Sequence, residues 1–406
     1  MSPAVSPIAV IYFGPNHFGP NKSQSNLQAF SIAGLLPLPL FSLLLSSLFL
    51  SSLLCVPCEA DEIVLRNQRT LSNVTVSTLD EDGITLGDGT QFGWDSILSA
   101  NVAEQEKFDR LHKEIGLDLF RLRVRLQRHD VENFQPHLDK LYPIFAQRQS
   151  SSALVVHIAR VLAAVEAGSW ELAIESHFRI FSLLQSETAD TKSQFQRILA
   201  ATRYPLDSLT GLSPLICPFG FDREKAVANW ESILAAYQAL PASHPTGLDF
   251  YFFLVAEATE SHVDAKESTN RIKLSLIEKI LLQTLLTATH SESNLNEIEG
   301  ARVKFYDHKF SEKDSAVHRA LYHFVSGLLE IRSEQGNQNE GLLNLLRIHA
   351  EHGRETQAIS AAALFEVYKA LKEEEPKKDA KSVADELLSR YPSSIFAKQL
   401  RMKETE

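Results

Sequence analysis

Cysteine is scarce, with three residues in a chain of 406, and two of them, Cys55 and Cys58, precede Asp61. Cys217 is left alone, so no disulfide framework can be drawn. Basic residues are in deficit as well: 40 Lys and Arg stand against 51 Asp and Glu, a formal net charge of -11. That balance argues against nucleic acid as a partner, because phosphate recognition needs a basic face. Charge of either sign is missing from Ser23 to Cys58. There is no Gly-rich phosphate loop and no GxSxG, and Cys55-Val56-Pro57-Cys58, formally a CxxC, lies inside that uncharged stretch. No residue is therefore assigned a catalytic, cofactor-binding or metal-ligating role, and no cofactor is implied.

The uncharged stretch is itself informative. Leu40–Leu54 is a largely apolar block of 15 residues interrupted only by serine and phenylalanine among the leucines. That length suits the h-region of a secretory signal and falls short of the about 20 residues a membrane span needs. Cys58 and Ala60 are small residues at the -3 and -1 positions of a signal-peptidase site, which predicts a mature start at Asp61. Counted as one segment, residues 29–56 are instead long enough for an uncleaved N-terminal anchor. A lipoprotein signal fits poorly, since Leu54 precedes Cys55 and Pro57 precedes Cys58. Residues 1–60 thus read as a leader, and the protein as exported to the periplasm or cell envelope, with the membrane engaged only through this segment where it stays uncleaved.

Residues 61–101 change character. Glu62–Leu65, Leu71–Leu79, Gly83–Leu86 and Thr90–Ile97 alternate or cluster β-branched residues, with Asp82-Gly83 and Asp88-Gly89 as tight turns. They predict a small β-meander or SH3-like module. Asp80, Asp82 and Asp88 lack the 1-3-5 spacing of a calcium loop and read as turn residues.

Helical periodicity takes over near Val102 and divides into three parts: 102–202, a middle region 203–310 containing a Pro/Gly-punctuated seam at Tyr204–Phe221, and 311–406. Leu364, Val367, Tyr368 and Leu371 form one apolar stripe, Pro376 interrupts it, and Ala380, Val383, Ala384 and Leu387 repeat it before Tyr391-Pro392. Ala153–Phe181, turning at Gly168, and Ala320–Ala350, turning at Gly336, read as further hairpins. Ser291–Asp314 reads as a polar linker or lid.

Tyr368, Ala380, Ala384, Leu387 and Pro392 fall at spacings that resemble a tetratricopeptide repeat, and Gly168, Trp170 and Ala173 resemble its turn and second helix. The match covers roughly a tenth of the chain as one clear repeat. The ending Arg390-Tyr391-Pro392-Ser393-Ser394 looks like repeats in bacterial envelope proteins. The resemblance implies a mainly α, antiparallel helix-hairpin array behind the β module, with alanines at the helix contacts and a proline closing the unit. Ala397, beyond that proline, is expected to be less constrained.

Three constellations bear on chemistry. Cys217 sits in an apolar loop and reads as an inert thiol. His349 and His352, one helical turn apart in His-Ala-Glu-His, miss the i,i+4 spacing of a zinc-protease helix and read as exposed positions at a helix end. Arg121, Arg123, Arg125 and Arg128 form a basic cluster diluted by Asp118 and Asp130 and read as a solvated face. The reading is an exported envelope or periplasmic helical-repeat scaffold that binds a protein or peptide segment. An exported enzyme using Cys217 and the aromatic middle region, and a membrane-anchored structural subunit, are the alternatives.

Overall fold

Six short strands pair as two antiparallel sheets. The computed structural model describes residues 61–185, 189–207, 210–218, 223–259, 295–306, 315–372 and 378–405, with single positions between 274 and 284. In the first sheet β1 (Asp61–Leu65) lies between β2 (Thr70–Val74) and β6 (Ile97–Asn101). In the second, β4 (Gly83–Leu86) lies between β3 (Val76–Asp80) and β5 (Gln91–Gly93). The expected meander therefore holds for β3-β4-β5 alone. The Leu71–Leu79 run breaks between Val74 and Val76, after Asn73 adopts a left-handed φ of 59°. The Thr90–Ile97 run breaks at a 3-10 turn, Trp94–Ser96, that returns the chain beside β1. The aspartates act as turn residues: Asp80 Oδ1 accepts the amides of Asp82 at 2.9 Å and Gly83 at 3.3 Å, and Asp88 Oδ1 accepts that of Thr90 at 2.9 Å.

Two side chains fasten the sheets. Asp61, buried, accepts the backbone amides of Val76 at 2.8 Å and Ala103 at 3.0 Å. Trp94 is fully buried, donates Nε1–H to the Asp80 carbonyl at 2.9 Å, and packs on Phe108. Phe108 opens the helical region on α1 (Gln105–Leu111), which passes through a π-type turn (His112–Gly116) into α2 (Leu117–Gln127). Three of the four clustered arginines are paired with carboxylates: Arg123 with Asp95, Arg125 with Asp130 at 2.8 Å, and Arg121 with Asp118 at 3.8 Å.

The rest of the described chain is helical: α3 (Val131–Phe145), α4 (Ser151–Ala167), α5 (Trp170–Leu184), α6 (Ala189–Thr202), α7 (Arg223–Gln238), α8 (Thr246–Thr259), α9 (Leu295–Tyr306), α10 (Ala316–Arg332), α11 (Gln338–His352), α12 (Gln357–Lys372), α13 (Lys378–Arg390) and α14 (Ile395–Thr405). Neighbours in sequence pack antiparallel, most closely as α4/α5, α10/α11, α11/α12 and α12/α13. The protein is thus mainly helical behind two small sheets.

The caps follow from the sequence. Ser150 Oγ accepts the Ala153 amide and starts α4, and Ser315 Oγ accepts that of His318 and starts α10. The expected linker at Ser291–Asp314 contains α9. There Phe305 is fully buried and stacked on Tyr322, with ring centres 5.0 Å apart, while Arg302 reaches Glu330 at 3.0 Å. One aromatic anchor and an interhelix ion pair hold a helix that its polar composition conceals.

Two apolar cores run through the molecule. The larger extends from Ile63 to Val367. The smaller joins Tyr368, Ala380, Ala384 and Leu387 with Tyr391, Ala397 and Leu400. Ala397 is fully buried, contrary to the freedom expected beyond Pro392, because α14 folds back onto α12 and α13. No helix among the described residues is long and apolar enough to cross a membrane. The leader, including residues 29–56, Cys55, Cys58 and Ala60, lies outside the described residues.

Candidate functional site

Three alternate helices, α2, α4 and α6, end in the same way at one edge of the array. At the end of α2, Asp130 N–H bonds the Arg125 carbonyl at 3.0 Å around His129 (φ 54°). At the end of α4, Ser169 N–H bonds Ala164 at 2.8 Å around Gly168 (φ 68°). At the end of α6, Tyr204 N–H bonds Leu199 at 3.2 Å around Arg203 (φ 52°). This six-to-one bond around a left-handed residue satisfies carbonyls that the helix itself leaves open. Glycine adopts that conformation without strain, but histidine and arginine do so at a cost of order 1 kcal/mol. His129 and Arg203 are exposed, and both line one wide cavity.

That cavity, of about 1210 Å³, lies where the hairpin turns converge. Its walls are the His129–Glu132 corner leading into α3, the end of α4 (Leu162, Val165, Glu166) and Trp170 at the start of α5. They continue through Thr202–Asp207 and Pro214-Leu215, the first turn of α10, the Arg354–Ala358 turn and the Arg390–Phe396 corner. Helix N-termini and C-termini both face it, so their partial charges offset rather than add. Its charged side chains are also mixed: Asp130, Glu132, Glu166, Asp207 and Glu355 stand among Arg203, Arg354 and Arg390. Between them lie apolar surfaces from Trp170, Leu206, Leu215, Val317, Ile395 and Phe396.

The cavity closes because the end of the chain docks on α4. Lys398 donates to the Glu166 carbonyl at 2.9 Å, with the Glu166 carboxylate 3.8 Å from the same ammonium. Ile395 fills the space that a side chain at Gly168 would need: a Cβ there would lie 2.7 Å from Ile395 Cγ1. Gly168 thus meets two demands at once, left-handed backbone and close approach.

The residues singled out from sequence divide between this rim and the cores. Trp170 and Pro392 line the cavity, and Gly168 abuts its Ile395 wall. Ala173 is buried in the larger core, while Tyr368, Ala380, Ala384 and Leu387 belong to the smaller one. Asp61 begins β1. Cys217 is fully buried. His177, also fully buried, has both ring nitrogens engaged, by Tyr204 Oη at 2.8 Å and the Gly211 carbonyl at 2.7 Å. Burial pushes the His177 pKa down to about 4.

Arg203, Arg354 and Glu355 escaped sequence reasoning. The only signal for them is position: Arg203 immediately precedes the Tyr204-Pro205 seam, and Arg354-Glu355 follow a histidine-rich helix end. His349, expected at an exposed helix end, instead bridges Tyr391 Oη at 2.9 Å and Glu386 Oε1 at 3.1 Å. No family model, curated protein or solved structure matches the chain.

Proposed function

We propose that the protein is an exported helical-repeat scaffold whose rim cavity receives a segment of another polypeptide. The carrying observation is the composition of that cavity. At about 1210 Å³ it exceeds the 300–1,000 Å³ usual for a small-molecule pocket. Its apolar surfaces alternate with side chains of both signs, as suits a chain with apolar and charged residues better than a phosphate or a single metabolite. Carboxylates outnumber guanidiniums there, so basic residues in the segment are favoured. A tetratricopeptide-like ancestry and an envelope location accord with the spacing around Tyr368–Pro392 and with the uncharged leader, and the mature chain would begin at Asp61.

The test is site-specific photocrosslinking in the native host. A photoreactive phenylalanine replacing Leu206 or Phe396, both cavity-lining, should capture discrete protein adducts, whereas one replacing exposed Leu343 on α11 should not. Equal adducts from all three positions, or none from the cavity pair, would sink the proposal. Mass spectrometry of the same material reads the N-terminus directly. A chain retaining its leader in the membrane fraction would establish anchoring instead of cleavage.

A further inference from the structure

The His-Ala-Glu-His turn at the end of α11 splits its two histidines between opposite neighbours. His349 turns to α13, where Tyr391 and Glu386 occupy both its nitrogens. His352 turns to α10 and faces His323, the two rings nearly parallel at 25° with centres 6.3 Å apart. Glu351 completes the group: one ligand atom from each of His323, Glu351 and His352 lies within 4.8 Å of the other two, and His352 Nε2 stands 4.0 Å from Glu351 Oε2.

Both imidazoles present a buried nitrogen, His323 Nδ1 and His352 Nε2, with no hydrogen-bond partner. A buried polar atom left without a partner is costly. Two histidines with such atoms, each offering a ligand nitrogen within 4.8 Å of the other and of a carboxylate oxygen, are costly as packing but apt as a ligand set. Imidazole binds metal only when neutral. Arg347 acts on His323 and Arg319 on His352. Those two cations oppose a bound metal, and Glu351 and Glu355 offset them.

We propose that His323, His352 and Glu351 bind a divalent transition-metal ion of the zinc class. Two imidazoles and one carboxylate are a borderline-soft donor set suited to Zn²⁺ and poor for Ca²⁺ or Mg²⁺, which take oxygen ligands. Metal–ligand bonds of about 2.0–2.2 Å put tetrahedral ligand atoms about 3.4 Å apart, so the group must draw in by about 1 Å. Glu351 is exposed and can supply that movement, releasing its loose 3.6 Å contact with Arg347. Three protein ligands leave a fourth position for water or an incoming donor atom. The ion would also clamp α10 to α11 beside the cavity. The His352 carbonyl accepts the amides of Glu355 and Thr356 at 2.9 Å each, and Glu355 lines the cavity wall. The site stands independently of the peptide-binding proposal.

The experiment is titration of the chelator-treated full chain with Co²⁺ and Zn²⁺, in a Cys55→Ser, Cys58→Ser background that removes the leader thiols. One equivalent of Co²⁺ should bind with the visible absorption of a tetrahedral site and be displaced by Zn²⁺. Zn²⁺ should also raise the thermal midpoint. His323→Gln and His352→Gln should each weaken binding at least about a hundredfold, and His349→Gln, one turn away, should leave it unchanged. Glu351→Gln, at an exposed position where folding is not at stake, should weaken it about tenfold. No saturable binding, or binding that survives His323→Gln with His352→Gln, overturns the assignment. Unchanged affinity in Glu351→Gln limits the site to the two histidines and overturns the three-ligand form.

Discussion

Lys398, near the end of the chain, donates to the backbone carbonyl of Glu166 across a separation of 232 residues. An open solenoid would leave its last helix in contact only with its neighbours. Here α14 also meets α4, so the first and last parts of the array hold one cavity between them. That closure makes the Gly168–Ile395 contact a test of the architecture. Gly168→Ala should destabilise by about 1–3 kcal/mol through left-handed strain and overpacking. Hydrogen exchange should rise first in α14. Gly300 is exposed on α9 with nothing near a prospective Cβ. Gly300→Ala should therefore stabilise by about 0.5–1 kcal/mol. Chemical denaturation of both variants decides the matter, and similar effects would refute the docking contact.

Two buried histidines predict acid lability. Burial, with Arg179 and Arg160 adding to it, pushes the His157 pKa down to about 3, and burial pushes that of His177 down to about 4. Both folded values lie below the unfolded value of 6.5. Below pH 6.5 the unfolded chain therefore binds more protons, and stability falls as pH drops through the window from 6.5 toward 3–4. Each histidine shifts the folding equilibrium by about tenfold per pH unit there. Urea midpoints measured between pH 7 and pH 5 should fall, and His177→Asn should flatten the dependence. An unchanged slope would mean that His177 is protonated in the folded protein.

Asp61 predicts a cost at the start of the folded region. Its carboxylate accepts two backbone amides, those of Val76 and Ala103, which join the two sheets to the entry of α1. Asp61→Ala leaves both donors without that partner and should cost about 2–3 kcal/mol. Asp61→Asn, which keeps an acceptor oxygen, should cost less. Thermal midpoints compared between the two variants separate the hydrogen bonds from simple loss of packing; equal losses would mean the amides are not what Asp61 serves.

Much of the helical order was legible because it is written in apolar spacing and punctuation. Gly168, read as a turn, sits where α4 ends, and Ala380 and Ala384, read as one stripe, are buried where α13 lies against α12. What was hidden depends on partners distant in sequence. Asp95 neutralises Arg123 from the sheet, Phe305 anchors a polar-looking helix on Tyr322, and His323 meets His352 across a hairpin. The cavity could not be read either. Its walls are turns, whose convergence follows from the α14–α4 closure and from no local pattern.

The sharpest test of the C-terminal packing is a pair of alanines. Ala384 on α13 and Ala397 on α14 both lie in the smaller core, Ala384 at 2% exposure and Ala397 at 0%. Sequence spacing marks only the first, since Pro392 reads as the end of the unit, but Phe365 and Phe396 face each other at 5.7 Å and bring α14 onto α12. A leucine at either position adds three carbons to a close-packed site, for an expected loss of about 1–3 kcal/mol. The two losses should differ in where they act. Ala384→Leu should loosen α12 and α13 together, whereas Ala397→Leu should release α14 and, with it, the Lys398–Glu166 bond. Only the second variant should therefore raise exchange at the end of α4. Near-neutral behaviour of Ala397→Leu would mean that α14 does not close the array.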